Sequence, residues 1–371
     1  MQNSVNLNTS SATNRDRALL NEKGIIWWGR SDKDYSRNRI LRHWFIQKQI
    51  PLCDFFPRSS RFGLLQAMWS KPQGVAVWVP CFRQRDMAAA RKWCDRNKLP
   101  LIFDPLISAY DKQVFEKRKF PEHSAAASRL LKWERSVFQM ADHVIADTEL
   151  HANYFIEKLG VEKNRISVIP VSAEEEVFSF QPLTEGRRSR KKVLFFGTFL
   201  ELHGTQVIAE AIVNSQGLPL DWRLIGTGPK KQQFVEMIAG LDHVQMIDSV
   251  AYHALPNEIA SADIVLGIFG TGEKASRVIP NKVYQALAVG RTMITMRSKA
   301  YPSELLESED CGIYWVDPGS PEQIIAALSR ALEDDISSKG TAAYETYKRW
   351  FSNEKVASEM ESLIYGLFPS S

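Results

Sequence analysis

The sequence predicts two doubly wound α/β domains in tandem, and three observations carry that prediction. Short apolar, β-branched or aromatic runs alternate with helical patterns along the whole chain. Most of the runs are close to continuously apolar, as strands buried on both faces of a parallel sheet are. A polar, basic stretch then divides the series into two halves, each long enough within 371 residues to bury a core.

In the first half the runs are Gly24–Gly29, Leu52–Phe56, Val75–Val79, Leu101–Phe103, His143–Ala146 and Ile166–Ile169. In the second they are Lys192–Phe196, Trp222–Ile225, Val244–Ile247, Asp263–Phe269, Thr292–Met296 and Gly312–Val316. Residues 181–191 (QPLTEGRRSRK) hold a proline, a glycine and a basic run with no apolar period, and read as a linker between a domain at 22–180 and one at 192–340. Residues 1–21, rich in Asn, Ser and Thr, read as a disordered tail and not a signal peptide. The chain closes with a helical pattern at Pro321–Leu332, a polar break at Asp334–Gly340 and a long helical pattern at Thr341–Leu367. That last pattern carries Tyr347, Trp350, Phe351 and Met360 on one side, and such a stripe is expected to return and dock on the first domain.

Composition narrows the function class. The chain is 44% hydrophobic and 24% charged, ordinary for a soluble α/β protein. A net charge of +4 is too weak to argue for nucleic acid, but suits an anionic ligand or an anionic membrane surface. The four cysteines (Cys53, Cys81, Cys94, Cys311) show no C-x-x-C spacing, so neither zinc nor redox chemistry is signalled. With no apolar run long enough to span a bilayer, the expected location is cytoplasmic. The basic helical stretches Arg83–Lys98, with Trp93, and Arg37–Lys48, with Trp44 and Phe45, could rest peripherally on anionic lipid; a solvated face with core-packed tryptophan explains them equally well.

Open parallel sheets bind ligands at the carboxyl ends of their strands. In the second half, Gly197 and Thr198 end the first strand, and Gly204 follows before a helix from Thr205, with His203 beside it. Small residues there let backbone amides approach a phosphate. The LIGTGP turn places Gly226 and Gly228 after another strand. It lacks the third glycine of the dinucleotide fingerprint and falls late in the domain, which argues against a dehydrogenase. Pro280 is placed to open a helix with Asn281, Lys282 and Gln285 in its first turns. A lysine at a helix N-terminus opposes the macrodipole, a placement easier to understand if an anion sits there.

The ordered set GTFLELHG, LIGTGP, ADIVLGIF and IPNKVYQALAVGRTMIT resembles the donor domain of family 4 glycosyltransferases of the GT-B fold, in the subgroup whose helix begins PNKVY. The resemblance covers about 120 residues and implies two Rossmann-like domains facing a cleft. It implies a nucleotide-diphosphate-sugar donor held at Gly197, Thr198, His203 and Gly204, with Gly226 and Gly228 near the nucleoside and Lys282 in the diphosphate site. Many members carry two glutamates eight apart; Arg277 and Gln285 stand at those positions. Gln285 can still hydrogen-bond a ribose, Arg277 can only donate and could clamp phosphate, and Glu273 could reach the sugar from the loop. His203 stands where the family has lysine or arginine.

In the first half, Gly29 ends a strand and Tyr35, Arg37 and Asn38 follow, resembling the acceptor loop of bacterial members. Asp104 and Asp111, with Ser108 between them, follow another strand; either carboxylate could bind sugar hydroxyls or act as base towards an acceptor hydroxyl. Asp147 is read as the cap of the helix after it. No acidic pair of metal-binding type precedes a strand, so neither a metal nor a further cofactor is expected beside the sugar nucleotide. The expected partners are that donor and a saccharide or lipid-linked acceptor, with no nucleic acid. A sugar-nucleotide epimerase of the same fold, or a non-catalytic sugar-nucleotide or glycan-binding protein, are the rival readings.

Overall fold

A computed structural model describes residues 18–30, 35–183 and 189–367. It divides into two units, residues 1–170 with 356–371 and residues 171–355. The boundary lies at Pro170–Val171, ahead of the expected linker, of which 184–188 lie outside the described residues. Most of the expected tail, residues 1–17, also lies outside them, but residues 18–23 are helical and Leu20 is buried.

The first unit holds one parallel sheet of six strands, β1 (Ile25–Trp28), β2 (Leu52–Phe55), β3 (Ala76–Val79), β4 (Leu101–Phe103), β5 (His143–Ala146) and β6 (Ile166–Val168). Their order is β2-β1-β3-β4-β5-β6. Side chains alternate across a strand, and the two faces fill separate cores. Ile26, Trp28, Val77, Val79 and Phe103 pack on one side with Phe138 and Phe155. Ile25, Trp27, Trp78 and Ile102 pack on the other with Phe45 and Ile145.

That second face explains the end of the chain. The expected single tail helix is two helices, Ile336–Trp350 and Asn353–Leu367, with Phe351 and Ser352 between them. Asp335 caps the first through Ser337 and Ser338, so the polar stretch read as a break is mostly helix. Val356, Met360, Leu363 and Ile364 cover the Ile25–Trp27–Trp78 face of the first unit. Tyr347 and Phe351, expected on the same surface, stay with the second unit instead. Tyr347 hydrogen-bonds Glu175 at 3.0 Å, and Phe351 meets Tyr284 edge-on at 5.1 Å.

The second unit repeats the plan with β7 (Lys191–Phe196), β8 (Leu220–Ile225), β9 (Val244–Ile247), β10 (Ile264–Leu266), β11 (Thr292–Met296) and β12 (Ile313–Val316), all parallel. Their order is β12-β11-β10-β7-β8-β9, which reverses direction between β7 and β10. In the first sheet the reversal falls between β1 and β3. Both reversals are topological switch points, where the strand ends open a crevice. Helix Asn281–Val289 is buried along nearly its whole length and is backed by helix Ile336–Trp350. Gly340 permits that approach, since a Cβ there would lie 2.6 Å from the Gly290 carbonyl oxygen.

Candidate functional site

At the β7/β10 switch point the two strand ends are pressed together by glycine. A Cβ on Gly204 would lie 2.6 Å from the Phe269 carbonyl carbon, and one on Gly270 would lie 2.4 Å from the Leu202 carbonyl oxygen. Gly204 has φ 66° and stands at the N-cap of helix Thr205–Asn214, with no side chain to cap it. Pro280 occupies the same position on helix Asn281–Val289, again without a side-chain cap and with no acidic residue in the first turn. Two helix N-termini therefore keep unsatisfied amides and partial positive charge.

Lys282 lies between these ends. The residue is 4% exposed, and its Nζ sits 3.9 Å from the Phe195 ring centroid and 3.4 Å from the Gly267 carbonyl oxygen. A Cβ on Gly197 would come within 3.2 Å of it, so the glycine keeps the strand end open to the ammonium. Among the described residues no carboxylate pairs with Lys282, and burial holds its pKa well below the usual lysine value. An Nζ that faces a ring and one carbonyl is incompletely solvated when protonated, and an anion beside it would favour the charged form.

His203 joins this group as a neutral imidazole. Its Nδ1 donates to the Thr198 carbonyl, and burial, reinforced by the charge of Lys282, lowers its pKa to about 3. The charge that lysine or arginine carries at this position in the family is therefore absent. Thr198 is exposed, Asn281 is partly buried, and Gln285 is buried one turn beyond Lys282. Gly226 and Gly228 have a packing reason to be glycine: added Cβ atoms would lie 1.9 Å from the Gly197 carbonyl oxygen and 2.6 Å from the Phe199 amide. Arg277, expected as a phosphate clamp, pairs with Glu273 at 3.1 Å, so these two residues answer each other in the structure.

The first unit departs further from expectation. Asp104 is wholly buried, and both its oxygens accept from Arg37 Nε at 2.8–2.9 Å. Arg37 is 1% exposed and also donates to the Ile169 carbonyl at 3.0 Å. Neither residue presents to an acceptor; they neutralise each other inside the fold. Asn38 is buried and accepts from the Cys81 thiol at 3.2 Å. Ser108 and Asp111 are buried in a helix start. The Ser108 hydroxyl accepts from the Asp111 amide at 3.0 Å and donates to Glu134 at 2.6 Å. Glu134 also accepts from the Tyr110 amide at 2.8 Å, and burial, only partly offset by these bonds, raises its pKa. Asp147 pairs with His151, while Thr148 caps the helix in its place, accepting from the His151 amide at 3.1 Å. Trp44, Phe45 and Trp93 are core residues and meet no external surface.

At the β1/β3 switch point stands a group that sequence reasoning passed over. Gly29 has φ 129°, and a Cβ there would lie 3.0 Å from Asp86 Oδ2 and 3.1 Å from Arg83 Cγ. Arg83 Nε donates to Asp86, and its Nη2 reaches Ser60 at 3.4 Å. Asp86 is fully buried, and its Oδ1 has no hydrogen-bond partner among the described residues. Phe82 adopts a left-handed φ of 65°, strained for a bulky residue, and holds its exposed ring edge-on to Tyr35 at 5.1 Å. The signal was the run Cys81-Phe82-Arg83 directly after β3, which the basic period of residues 83–98 drew into a surface helix. That helix begins only at Met87.

Two family models match the chain in tandem. Residues 49–172 match the glycosyl transferase 4-like domain, and residues 190–334 match glycosyl transferases group 1. WcaI of Escherichia coli K12, a glycosyl transferase assigned to colanic acid biosynthesis, is 26% identical over 246 residues. That match takes in 63% of this chain and 60% of WcaI. HepE of Anabaena, crystallised with UDP, superposes with a TM-score of 0.69 at 13% identity, covering 92% of this chain and 99% of HepE. Sucrose-phosphate synthase of Thermosynechococcus elongatus gives 0.69 at 15% identity, covering 94% and 99%. The apo lipopolysaccharide outer core galactosyltransferase WaaB gives 0.64 at 12% identity, covering 92% and 99%.

Proposed function

We propose that this chain is a GT-B-fold glycosyltransferase related to the glycosyl transferase 4-like and group 1 families, whose second unit holds a nucleotide-diphosphate sugar and whose first unit receives the acceptor. The observation that carries the donor assignment is Lys282, whose buried Nζ has no carboxylate partner among the described residues and lies beside two helix N-termini without side-chain caps. A diphosphate supplies what that arrangement lacks. Neutral His203 then serves as a hydrogen-bonding group, and Gln285, one turn beyond Lys282, meets the ribose in place of the glutamate many members carry. HepE's bound UDP is consistent with a uridine donor.

In the reaction the bond between the sugar's anomeric carbon and the diphosphate oxygen breaks, and a bond to the acceptor oxygen forms. The acceptor proton passes to a base, and the released diphosphate gains negative charge. Lys282 and the helix amides of residues 205 and 281 onward meet that charge, so transfer proceeds without a metal ion. On the acceptor side the partly exposed Arg83, positioned at the end of β1 by buried Asp86, faces the acceptor, and Tyr35 with Phe82 offers an aromatic edge to a sugar ring. The acceptor is a hydroxyl of a saccharide or of a lipid-linked saccharide, on the cytoplasmic side.

Incubation with UDP-, GDP- and ADP-linked sugars tests this. The expected result is release of one nucleoside diphosphate, with sugar appearing on an added acceptor or on water. Interconversion of the sugar without release would point to an epimerase, and binding without either product to a non-catalytic protein.

A further inference from the structure

Helix Gly63–Ser70 is turned inside out. A helix on the surface of a water-soluble domain buries its apolar stripe and shows polar residues to solvent. Here the inward residues are Gly63 and Ala67, small enough to lie close on helix Met87–Asn97: a Cβ on Gly63 would stand 3.2 Å from Ala89 Cβ. The outward residues are the large ones. Trp69 is 90% exposed, and Phe62, Leu65 and Met68 are 59%, 55% and 43% exposed. Together they form one apolar patch on a single short helix and the residue before it.

Cations ring the patch. Arg58, Arg61 and Lys71 flank the helix, Arg85 and Lys92 are exposed beside it, and Arg96 reaches Met68 Sδ at 2.9 Å. Arg61, Leu64, Leu65, Arg85 and Lys92 share one open basin with Ser60. Residues 57–98 carry nine Lys and Arg against two Asp, a net +7, while the whole chain carries +4, so the remainder is net negative. Of the two acids, Asp86 is buried and Asp95 is paired with Arg91. The positive charge is thus concentrated where the apolar side chains protrude.

We propose that this face docks on an anionic lipid surface, with Trp69, Leu65, Phe62 and Met68 entering the headgroup boundary and the surrounding arginines and lysines on lipid phosphates. Apolar side chains that project from a convex helix need an apolar medium, and a cationic rim selects an anionic one; a tryptophan at such a boundary meets both its apolar ring and its N–H requirement. Charge complementarity therefore favours a bilayer over a second copy of this patch, whose like charges would repel. Docking also has a direction. Ser60 of the basin contacts Arg83, and Arg83 holds Asp86 over Gly29, so the lipid face runs on to the acceptor end of the first sheet. Resting on the function proposed above, this makes the acceptor a lipid-linked saccharide presented at the membrane plane.

Co-sedimentation with phosphatidylcholine vesicles containing about one-third phosphatidylglycerol tests the docking by itself. The native chain should bind them, bind pure phosphatidylcholine at least about tenfold more weakly, and release in high salt. Leu65→Ser with Trp69→Ser, and separately Arg61→Glu with Lys92→Glu, should each lower the partition at least about tenfold. Equal binding of native and variant chains, or no preference for the anionic vesicles, overturns the proposal. So does a native dimer in sedimentation that the Ser variants dissolve, or tighter binding to single-stranded DNA than to vesicles. These positions are solvent-facing, so the variants should retain the native melting temperature and the native response to UDP. A native chain that binds vesicles but responds to no nucleotide would instead fault the donor assignment and leave the docking face standing.

Discussion

The carboxyl ends of the two sheets are built alike and treated differently. In the first unit the ionisable groups beneath the strand ends mostly answer one another. Arg37 holds Asp104, Asp147 holds His151, and Glu134 is bound by a hydroxyl and backbone amides. In the second unit Lys282 is left with an aromatic face and a carbonyl. A buried charge that has found its partner within the chain belongs to the scaffold; one that has not is held ready for something the chain does not contain. Position at a strand end does not separate these cases, but partnering does.

The sharpest way to break that comparison is to remove one member of a satisfied pair. Asp104→Ala leaves the Arg37 guanidinium buried and alone, and should destabilise the protein by about 3–5 kcal/mol in urea unfolding. Replacing both, as Arg37→Met with Asp104→Leu, should recover much of that loss. If Asp104 were instead the acceptor base, Asp104→Asn would keep full stability and lose turnover.

The unsatisfied charge should behave in the opposite sense. Lys282→Ala should cut turnover by roughly 10- to 1000-fold, the effect of truncating one partner of a desolvated charged contact, while the fold persists. Activity of the native enzyme should survive EDTA. Loss in EDTA with recovery on magnesium or manganese would place the counter-charge on a metal.

Asp86→Asn sharpens the assignment within the first unit. Loss of a charged hydrogen-bond acceptor at the acceptor end should lower turnover by about 10- to 100-fold with donor affinity unchanged. Equal loss of both would return Asp86 to the scaffold with Asp104.

The smallest effect should come from His203. A neutral imidazole supplies a hydrogen bond and no charge, so His203→Asn should cost less than about tenfold. Its pKa lies near 3 in the folded chain and about 6.5 in the unfolded one, so the unfolded chain takes up the proton first as the pH falls. The stability that neutral His203 contributes is therefore complete above about pH 6.5 and lost between there and about pH 3. Acid unfolding of His203→Asn should begin at lower pH than that of the native chain.

The double winding was legible because the strands are short, mostly apolar and set off by helical spacing, as Ile25–Trp28 and Ala76–Val79 illustrate. The PNK helix and its buried lysine were legible through a local conflict, a cation at a helix N-terminus. Partnering across the chain was not. Arg37 and Asp104 stand 67 residues apart, each a plausible ligand group alone, and only the sheet brings them to 2.8 Å. The Arg83–Asp86–Gly29 group was hidden for a related reason: helical period in residues 87–97 extends smoothly back over Gln84–Asp86, a 3-10 turn and not part of the α-helix. Tyr347, Phe351 and Met360 share one apolar period, but the chain bends after Trp350, and no periodicity says which core each residue enters.

Thermal melting of the native chain and of Lys282→Met, with and without UDP, separates a buried lysine held for an anion from one that belongs to the scaffold. The Lys282 pKa is depressed on folding, so holding it costs stability at every pH below its usual value near 10.4, and that cost grows as the pH falls towards the depressed pKa. Without nucleotide Lys282→Met should melt at or above the native temperature near pH 7, and UDP should raise the melting temperature of the native chain alone. A variant that melts several degrees lower without nucleotide, yet still gains the native shift with UDP, would place Lys282 in the scaffold.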